Sequence, residues 1–176
     1  MFKLRYLEDK DAAGMLEWMH AEETKKIFQK DMSSMTEDKV LSFIRAAGEN
    51  TVDKGFMHYA VVNDADEYLG TISLKDIDDV NKCAEYAVSF RKCAQGTGAA
   101  AYATTEILRF AFEELGLHRV YLNVLTTNLR ANSFYKKMGF KFEGTSVDSL
   151  FLNGKYESLN WYAMIRSEFV SLKEAN

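Results

Sequence analysis

The sequence contains no proline in 176 residues, so its turns must rest on glycine, asparagine and aspartate. Cysteine is nearly absent too. Cys83 and Cys93 are too few for a disulfide framework, and no CxxC or Cys/His cluster predicts a zinc site or any other metal. Histidine is limited to the scattered His20, His58 and His118. No apolar run reaches membrane-spanning length. The opening MFKLRYLEDKDAAG lacks an apolar stretch and a small-residue cleavage site, which predicts no signal peptide and a cytoplasmic protein. An excess of positive charge is also missing: the net charge of −4 predicts neither a nucleic-acid nor an anionic-membrane partner. What remains is ordinary globular composition, 47% hydrophobic and 27% charged, in a length that suits one domain, residues 1–176, with a real core.

The chain has no internal repeat, low-complexity tract or linker. FKLRYL alternates and predicts a first strand. DKDAAGMLEWMHAEETKKIF carries apolar residues at helical spacing, and MTEDKVLSFIRAAGE opens on a capping threonine with acids in its first turn. FMHYAVVN and YLGTISLKDI predict a hairpin turning at DADE, and CAEYAVSF a fourth strand after the loop DDVNK. A helix stripe from Ile107 to Leu115 stops at Gly116, and RVYLNVL, rich in β-branched and aromatic residues, is a strand. NLRANSFYKKM predicts a short helix, GFKFEGT a strand, and LFLNGKYESLNWYAMI a hairpin about Asn153-Gly154. The order β-α-α-β-β-β-α-β-α-β-β predicts an α/β or α+β chain with a mixed sheet, without the regular alternation of a doubly wound fold.

Two stretches carry candidate chemistry. Gln95, Gly96, Thr97 and Gly98 form a glycine turn between a strand and a helix start. The first N–H groups of a helix lack intrahelical partners and favour anions, and glycine admits a phosphate close to the backbone. The turn is neither GxGxxG, which needs glycine at Ala101, nor a P-loop, which needs Gly-Lys-Ser/Thr. Taken alone such a turn is more often a plain strand-to-helix connection. Tyr135 lies two helical turns past Asn128 and just ahead of the Gly139-Phe140 helix stop. Taken alone it is a half-buried core tyrosine or, against a leaving group of similar basicity, a general acid.

Together these segments resemble the GNAT acetyltransferase superfamily. Gln95-x-x-Gly98-x-Ala100 is similar to its acyl-CoA motif, FAFEELGLHRVYLNV to its helix-to-strand passage, and Asn128 through Gly144 to its second signature nearly throughout. LNGKYESLNWYAMIRSEF and MLEWMHAEETKKIF resemble the branch of ribosomal-protein, spermidine and amino-sugar-nucleotide acetyltransferases. The resemblance implies a mixed, mostly antiparallel sheet with splayed fourth and fifth strands and helices on both faces. It implies acetyl-CoA as donor and no metal. Val88, Ser89 and Phe90 would meet the pantetheine arm, and Gln95, Gly96, Thr97, Gly98, Ala99 and Ala100 the pyrophosphate. Asn128 would hydrogen-bond near the pantetheine or cap the helix that follows, Ser133 would lie on the cofactor side, and Tyr135 would protonate the departing thiolate. Arg91 and Lys92 would add charge for the 3′-phosphate or stand as a solvated pair. The missing proline after the fourth strand departs from the family pattern.

An alkyl ammonium must lose a proton before it attacks a thioester. Glu85 is the first candidate base, with Asp76, Asp78 and Asp79 next, and the Val88 N–H the candidate oxyanion donor. The resemblance implies a primary amine on a small molecule, an amino-sugar nucleotide or a polyamine, acetylated by direct attack in a ternary complex. The alternatives are protein N-terminal acetylation of the ribosomal-protein type and a non-catalytic acyl-CoA-binding module. Glu17 to Glu23 would suit a basic acceptor or form a solvated face. Phe151, Tyr156 and Trp161 on alternating faces of the last hairpin suggest a homodimer through that edge.

Overall fold

A computed structural model describes residues 1–48 and 54–174. Among the described residues seven strands form one sheet: β1 (Phe2–Tyr6), β2 (Met57–Asn63), β3 (Tyr68–Asp78), β4 (Cys83–Phe90), β5 (Arg119–Leu125), β6 (Lys141–Leu152) and β7 (Lys155–Ile165), in the order β1-β2-β3-β4-β5-β7-β6. All neighbours are antiparallel except β4 and β5. The α-helices of the described residues surround it: α1 (Ala12–Met19), α2 (Glu22–Ile27), α3 (Glu37–Ala47), α4 (Ala99–Arg109), α5 (Leu129–Lys137) and α6 (Arg166–Glu174).

Alternation along the strands builds two cores. Val61, Ile72, Leu74, Ala84, Tyr86, Val120, Leu122 and Tyr162 turn to one face and pack on α4, α5 and α6 through Ala103, Ile107, Tyr135 and Phe169. Ala60, Val62 and Tyr68 turn to the other and pack on α1 and α3 through Met15, Trp18, Val40 and Ile44. The sheet is therefore covered on both sides. Thr36 caps α3 by accepting from the Lys39 N–H at 3.4 Å, with Glu37 and Asp38 in the first turn, as the sequence predicts. Glu49, the last residue of that expected helix, lies outside the described residues. Asn153 and Gly154, with φ of 52° and 82°, make the expected tight turn between β6 and β7.

The structure differs from the sequence reading in three places. The first helix is broken in two at Ala21, whose extended ψ of 137° lets the Thr24 hydroxyl cap the Trp18 carbonyl. The helix α6 was not expected: of its apolar residues Phe169, Val170 and Leu172 only Phe169 is buried, against Phe112 at a ring distance of 5.3 Å, while Val170 and Leu172 are exposed. Phe151 and Tyr156 are direct cross-strand partners on one face rather than alternating, and both are exposed. Trp161 is half-buried and donates to the Ser146 hydroxyl.

Candidate active site

The single parallel pair controls the centre of the sheet. β4 and β5 pair only at Cys83–Arg119, Ala84–Val120 and Glu85–Tyr121, and beyond them the two strands separate. The gap begins at Tyr86 and is bounded by the rest of β4 and by Leu122 to Leu125. Main-chain direction along β4 follows from its register with β3. The Arg91 N–H donates to the Leu69 carbonyl, so Ser89 and Thr71 form a hydrogen-bonded pair, whereas Val88 opposite Ile72 and Phe90 opposite Gly70 do not. Val88 and Phe90 thus turn their main-chain N–H and C=O groups into the gap. Ser89 spends its own on β3, which corrects its expected main-chain part in holding a ligand.

The glycine turn lies at the end of this gap. Gly96 and Gly98 have φ of 78° and 90°, the left-handed region that favours glycine, and a Cβ built on either meets no atom within 4 Å. The turn is open to an approaching group. Its N–H groups are not all available, as the sequence reading had them. Gln95 donates to the Lys92 carbonyl at 3.1 Å, Thr97 to the Ala94 carbonyl at 3.4 Å, and Ala99 to the Thr97 hydroxyl at 3.3 Å. Among the described residues no acceptor takes the N–H of Gly96, Gly98, Ala100 or Ala101. Those of Ala100 and Ala101 belong to the first turn of α4, at the positive end of its dipole.

The helix α5 carries Tyr135 to the gap. Asn128 caps its start, its side-chain oxygen accepting from the Ala131 N–H at 3.1 Å. The Tyr135 ring is enclosed by Tyr86, Phe140 and Tyr162 at centroid distances of 5.9, 6.0 and 6.2 Å. Burial pushes its phenol well above the ordinary tyrosine range. Every fully buried side-chain polar atom has a partner, yet the Tyr135 hydroxyl has none among the described residues, so this oxygen reaches open space. Ser133 stands exposed on the same helix.

Glu85 lies on the opposite face. Its neighbours Ala84 and Tyr86 point into the α4–α5 core, while its carboxylate is 3.0 Å from the Lys75 ammonium and faces Tyr121. Burial, and then the negative charges of Glu85 and Asp76, push the Tyr121 phenol up. Glu85 thus lies beside Tyr121 at the foot of the gap. Asp78 is committed elsewhere: it accepts from the N–H groups of Val80 and Asn81 and closes the loop before β4. Asp79 pairs with Lys82. The segment after α1 roofs this face, with Gln29 donating to the Asn123 carbonyl at 2.9 Å and the Lys25 carbonyl accepting from Asn153 at 3.0 Å.

Arg91 is not available for an outside phosphate. It donates to Glu17, to Glu67 and to the Tyr68 carbonyl, and Lys92 pairs with Glu23. The same pairs, with Glu22–Lys25, neutralise the acid-rich stretch that would suit a basic acceptor. Three groups were not singled out from sequence. Asn132, one turn before Tyr135, donates to the carbonyls of Leu125 and Asn128 and accepts from Asn160 and the Tyr162 hydroxyl. Its spacing of four from Asn128 was the available signal. His58 and Ser73 face each other across β2 and β3 with Nδ1 2.7 Å from Oγ. Arg130 reaches the glycine turn, and an exposed arginine carries no signal in a single sequence.

Residues 2–141 match the acetyltransferase (GNAT) domain family. The chain belongs to this GNAT family. It is 31% identical over 115 residues to the spermidine N(1)-acetyltransferase of Vibrio cholerae, covering 65% of this chain and 66% of that protein. It is 33% identical over 100 residues to the putative ribosomal N-acetyltransferase YdaF of Bacillus subtilis, covering 57% and 55%. The GNAT chain thus spans between half and two thirds of the length of such curated relatives. The fold extends further. The crystal structure of spermidine N-acetyltransferase from Vibrio cholerae in complex with CoA and spermine superposes with a TM-score of 0.85 at 22% identity, over 96% of this chain and 98% of that one. The mostly antiparallel sheet with its one splayed parallel pair is the GNAT architecture.

Proposed function

We propose that the protein is an N-acetyltransferase that moves an acetyl group from acetyl-CoA to a primary amine of a small molecule by direct attack with both substrates bound. One observation carries the reading: β4 and β5 separate beyond Glu85, and the Tyr135 ring packs on Tyr86 where the gap begins, with its hydroxyl unpartnered among the described residues. The chain also fits the donor. Open, positive-φ glycines and unclaimed N–H groups suit a pyrophosphate, and the outward main-chain groups of Val88 and Phe90 suit the amides of a pantetheine arm, in the manner of an added strand. Asn128 contributes by fixing the start of α5. Acetyl-CoA, when bound, supplies a thioester carbonyl activated for acyl transfer.

The residues divide the work. The Val88 N–H donates to the thioester oxygen as negative charge develops there. Glu85 accepts the ammonium proton through water, with Lys75 fixing the carboxylate's orientation and Asp76 beside it. As the nitrogen–carbon bond of the amide forms and the carbon–sulfur bond breaks, Tyr135 would donate its proton to the sulfur, and the second proton shed by the nitrogen would restore the phenol. The burial that raises the phenol also penalises a free thiolate at the same place, so the phenol stays protonated until the sulfur departs. Neither Cys83 nor Cys93 is needed, since direct attack uses no cysteine nucleophile.

A polyamine is the first acceptor to test, because the similar proteins named above include spermidine acetyltransferases. Thiol release from acetyl-CoA would be measured against spermidine, an amino-sugar nucleotide, an aminoglycoside and short peptides with N-terminal Ala or Ser. Release with spermidine or the amino-sugar nucleotide supports the small-molecule reading. Release with peptides alone replaces it by protein N-terminal acetylation. Acetyl-CoA binding without release from any of them would favour the non-catalytic module.

A further inference from the structure

The chain has seven arginines, and six are spent inside the fold. Arg5 holds Asp11 and Asp66, Arg45 meets Asp9, Arg91 holds Glu17 and Glu67, Arg109 meets Glu106 and Glu114, and Arg119 grips Glu143 with both terminal nitrogens. Arg166 donates to the Phe112 carbonyl. Arg130 differs from all of them. It is exposed in the first turn of α5, and among the described residues its side chain makes one hydrogen bond, from Nη1 at 2.5 Å to the neutral side-chain oxygen of Gln95. Among the described residues no carboxylate lies within ion-pair distance of it.

We propose that Arg130 is a phosphate-binding arm for the nucleotide end of CoA, an inference that rests on the function proposed above. Its guanidinium is held by the side chain of Gln95, the first residue of the glycine turn, in which the N–H groups of Gly96 and Gly98 have no acceptor among the described residues. Those groups provide aligned dipoles but no formal charge. A phosphate ester carries full negative charge, and a guanidinium is its best-matched partner because it donates through two parallel N–H bonds. The remaining N–H groups of Arg130 are free to do so while Gln95 fixes the side chain. The role that sequence divided between Arg91 and Lys92 therefore falls to a residue thirty-five positions beyond Gln95.

Calorimetric titration of the intact protein with CoA and with 3′-dephospho-CoA tests this, with thermal unfolding as a control on folding. Arg130→Gln should bind CoA roughly tenfold or more weakly, the loss of one charge-assisted contact, at an unchanged unfolding temperature. A loss confined to CoA assigns the arm to the 3′-phosphate. An equal loss for both ligands assigns it to the pyrophosphate. Arg130→Lys should recover part of the affinity, and Gln95→Ala should weaken binding less than Arg130→Gln. Wild-type affinity with Arg130→Gln overturns the proposal and leaves the function standing, as does a Gln95→Ala loss that equals that of Arg130→Gln. Failure of the wild type to bind either ligand overturns both.

Discussion

Tyr135 is held by packing and not by polar bonds, so removing its oxygen alone is a clean experiment. Tyr135→Phe keeps the ring among Tyr86, Phe140 and Tyr162. Turnover should fall by roughly 10²–10⁴, the range for a lost general acid, with CoA affinity nearly unchanged. Steady-state kinetics beside calorimetry checks this, and unchanged turnover would remove Tyr135 from the chemistry. His58 offers a pH prediction. Burial first, and the Lys75 charge second, lower its imidazole from 6.5 to about 4. The unfolded chain therefore binds more protons than the folded one in that window. The stability is present above pH 6.5 and is lost as pH falls toward about 4. Thermal unfolding across this range should show a steeper decline for the wild type than for His58→Gln, which keeps a hydrogen-bonding group opposite Ser73. Identical slopes would mean that His58 is not buried neutral.

At the scale of elements, the glycine turn and the splayed strand make separate predictions. Gly98 sits at φ of 90° with nothing near its missing Cβ, so its protein-side requirement is backbone conformation, and any steric demand comes from a ligand. Gly98→Asn should cost only about 1 kcal/mol of stability, because asparagine tolerates positive φ, yet should strongly weaken CoA binding by filling the approach. A variant that binds normally would move the phosphate site elsewhere. On β4, the Val88 and Phe90 amides point into the gap and Ser89 points into the ladder. Hydrogen exchange resolved by residue should find Val88 and Phe90 fast, Ser89 slow, and the first two slowed by CoA. Asn132 joins α5, β5 and β7 with all four of its hydrogen-bonding positions filled. Asn132→Leu leaves the Asn160 amide and Tyr162 hydroxyl without that acceptor, and should destabilise the protein by roughly 1–3 kcal/mol in denaturant titration.

For the whole molecule, β2 connects the two cores. Val61 packs into the core under α4, while Ala60 and Val62 pack into the core under α1 and α3. Neither core can be lost while the other keeps this strand, so the chain should unfold as one cooperative unit. Trp18 is buried in the smaller core and Trp161 stands on β7 near the far edge of the sheet, so fluorescence samples both halves. Coincident fluorescence and far-ultraviolet dichroism transitions are expected, and separated ones would divide the fold at β2. The same arrangement places the candidate acid and base on opposite faces, with the gap as the passage between them.

Local pattern determined most of the fold. Alternating strands, the capped helix α3, the Asn153-Gly154 turn and the Asn128 cap are properties of neighbouring residues, and they were legible for that reason. The motifs that resemble GNAT also located the glycine turn and Tyr135, since both depend on short spacings. What only the tertiary structure decided was how each polar group is spent. Arg91 looks available in sequence until Glu17 and Glu67, distant in the chain, close around it. Asp78 looks like a base until the loop folds its own N–H groups onto it. Ser89 reads like its neighbours until register turns it toward β3. The helix α6 depends on Phe169 finding Phe112, and Arg130 on Gln95, contacts that chain order does not reveal. Hydrogen bonds and ion pairs saturate, so a residue's function rests on which partners reach it first, and only the folded chain sets that.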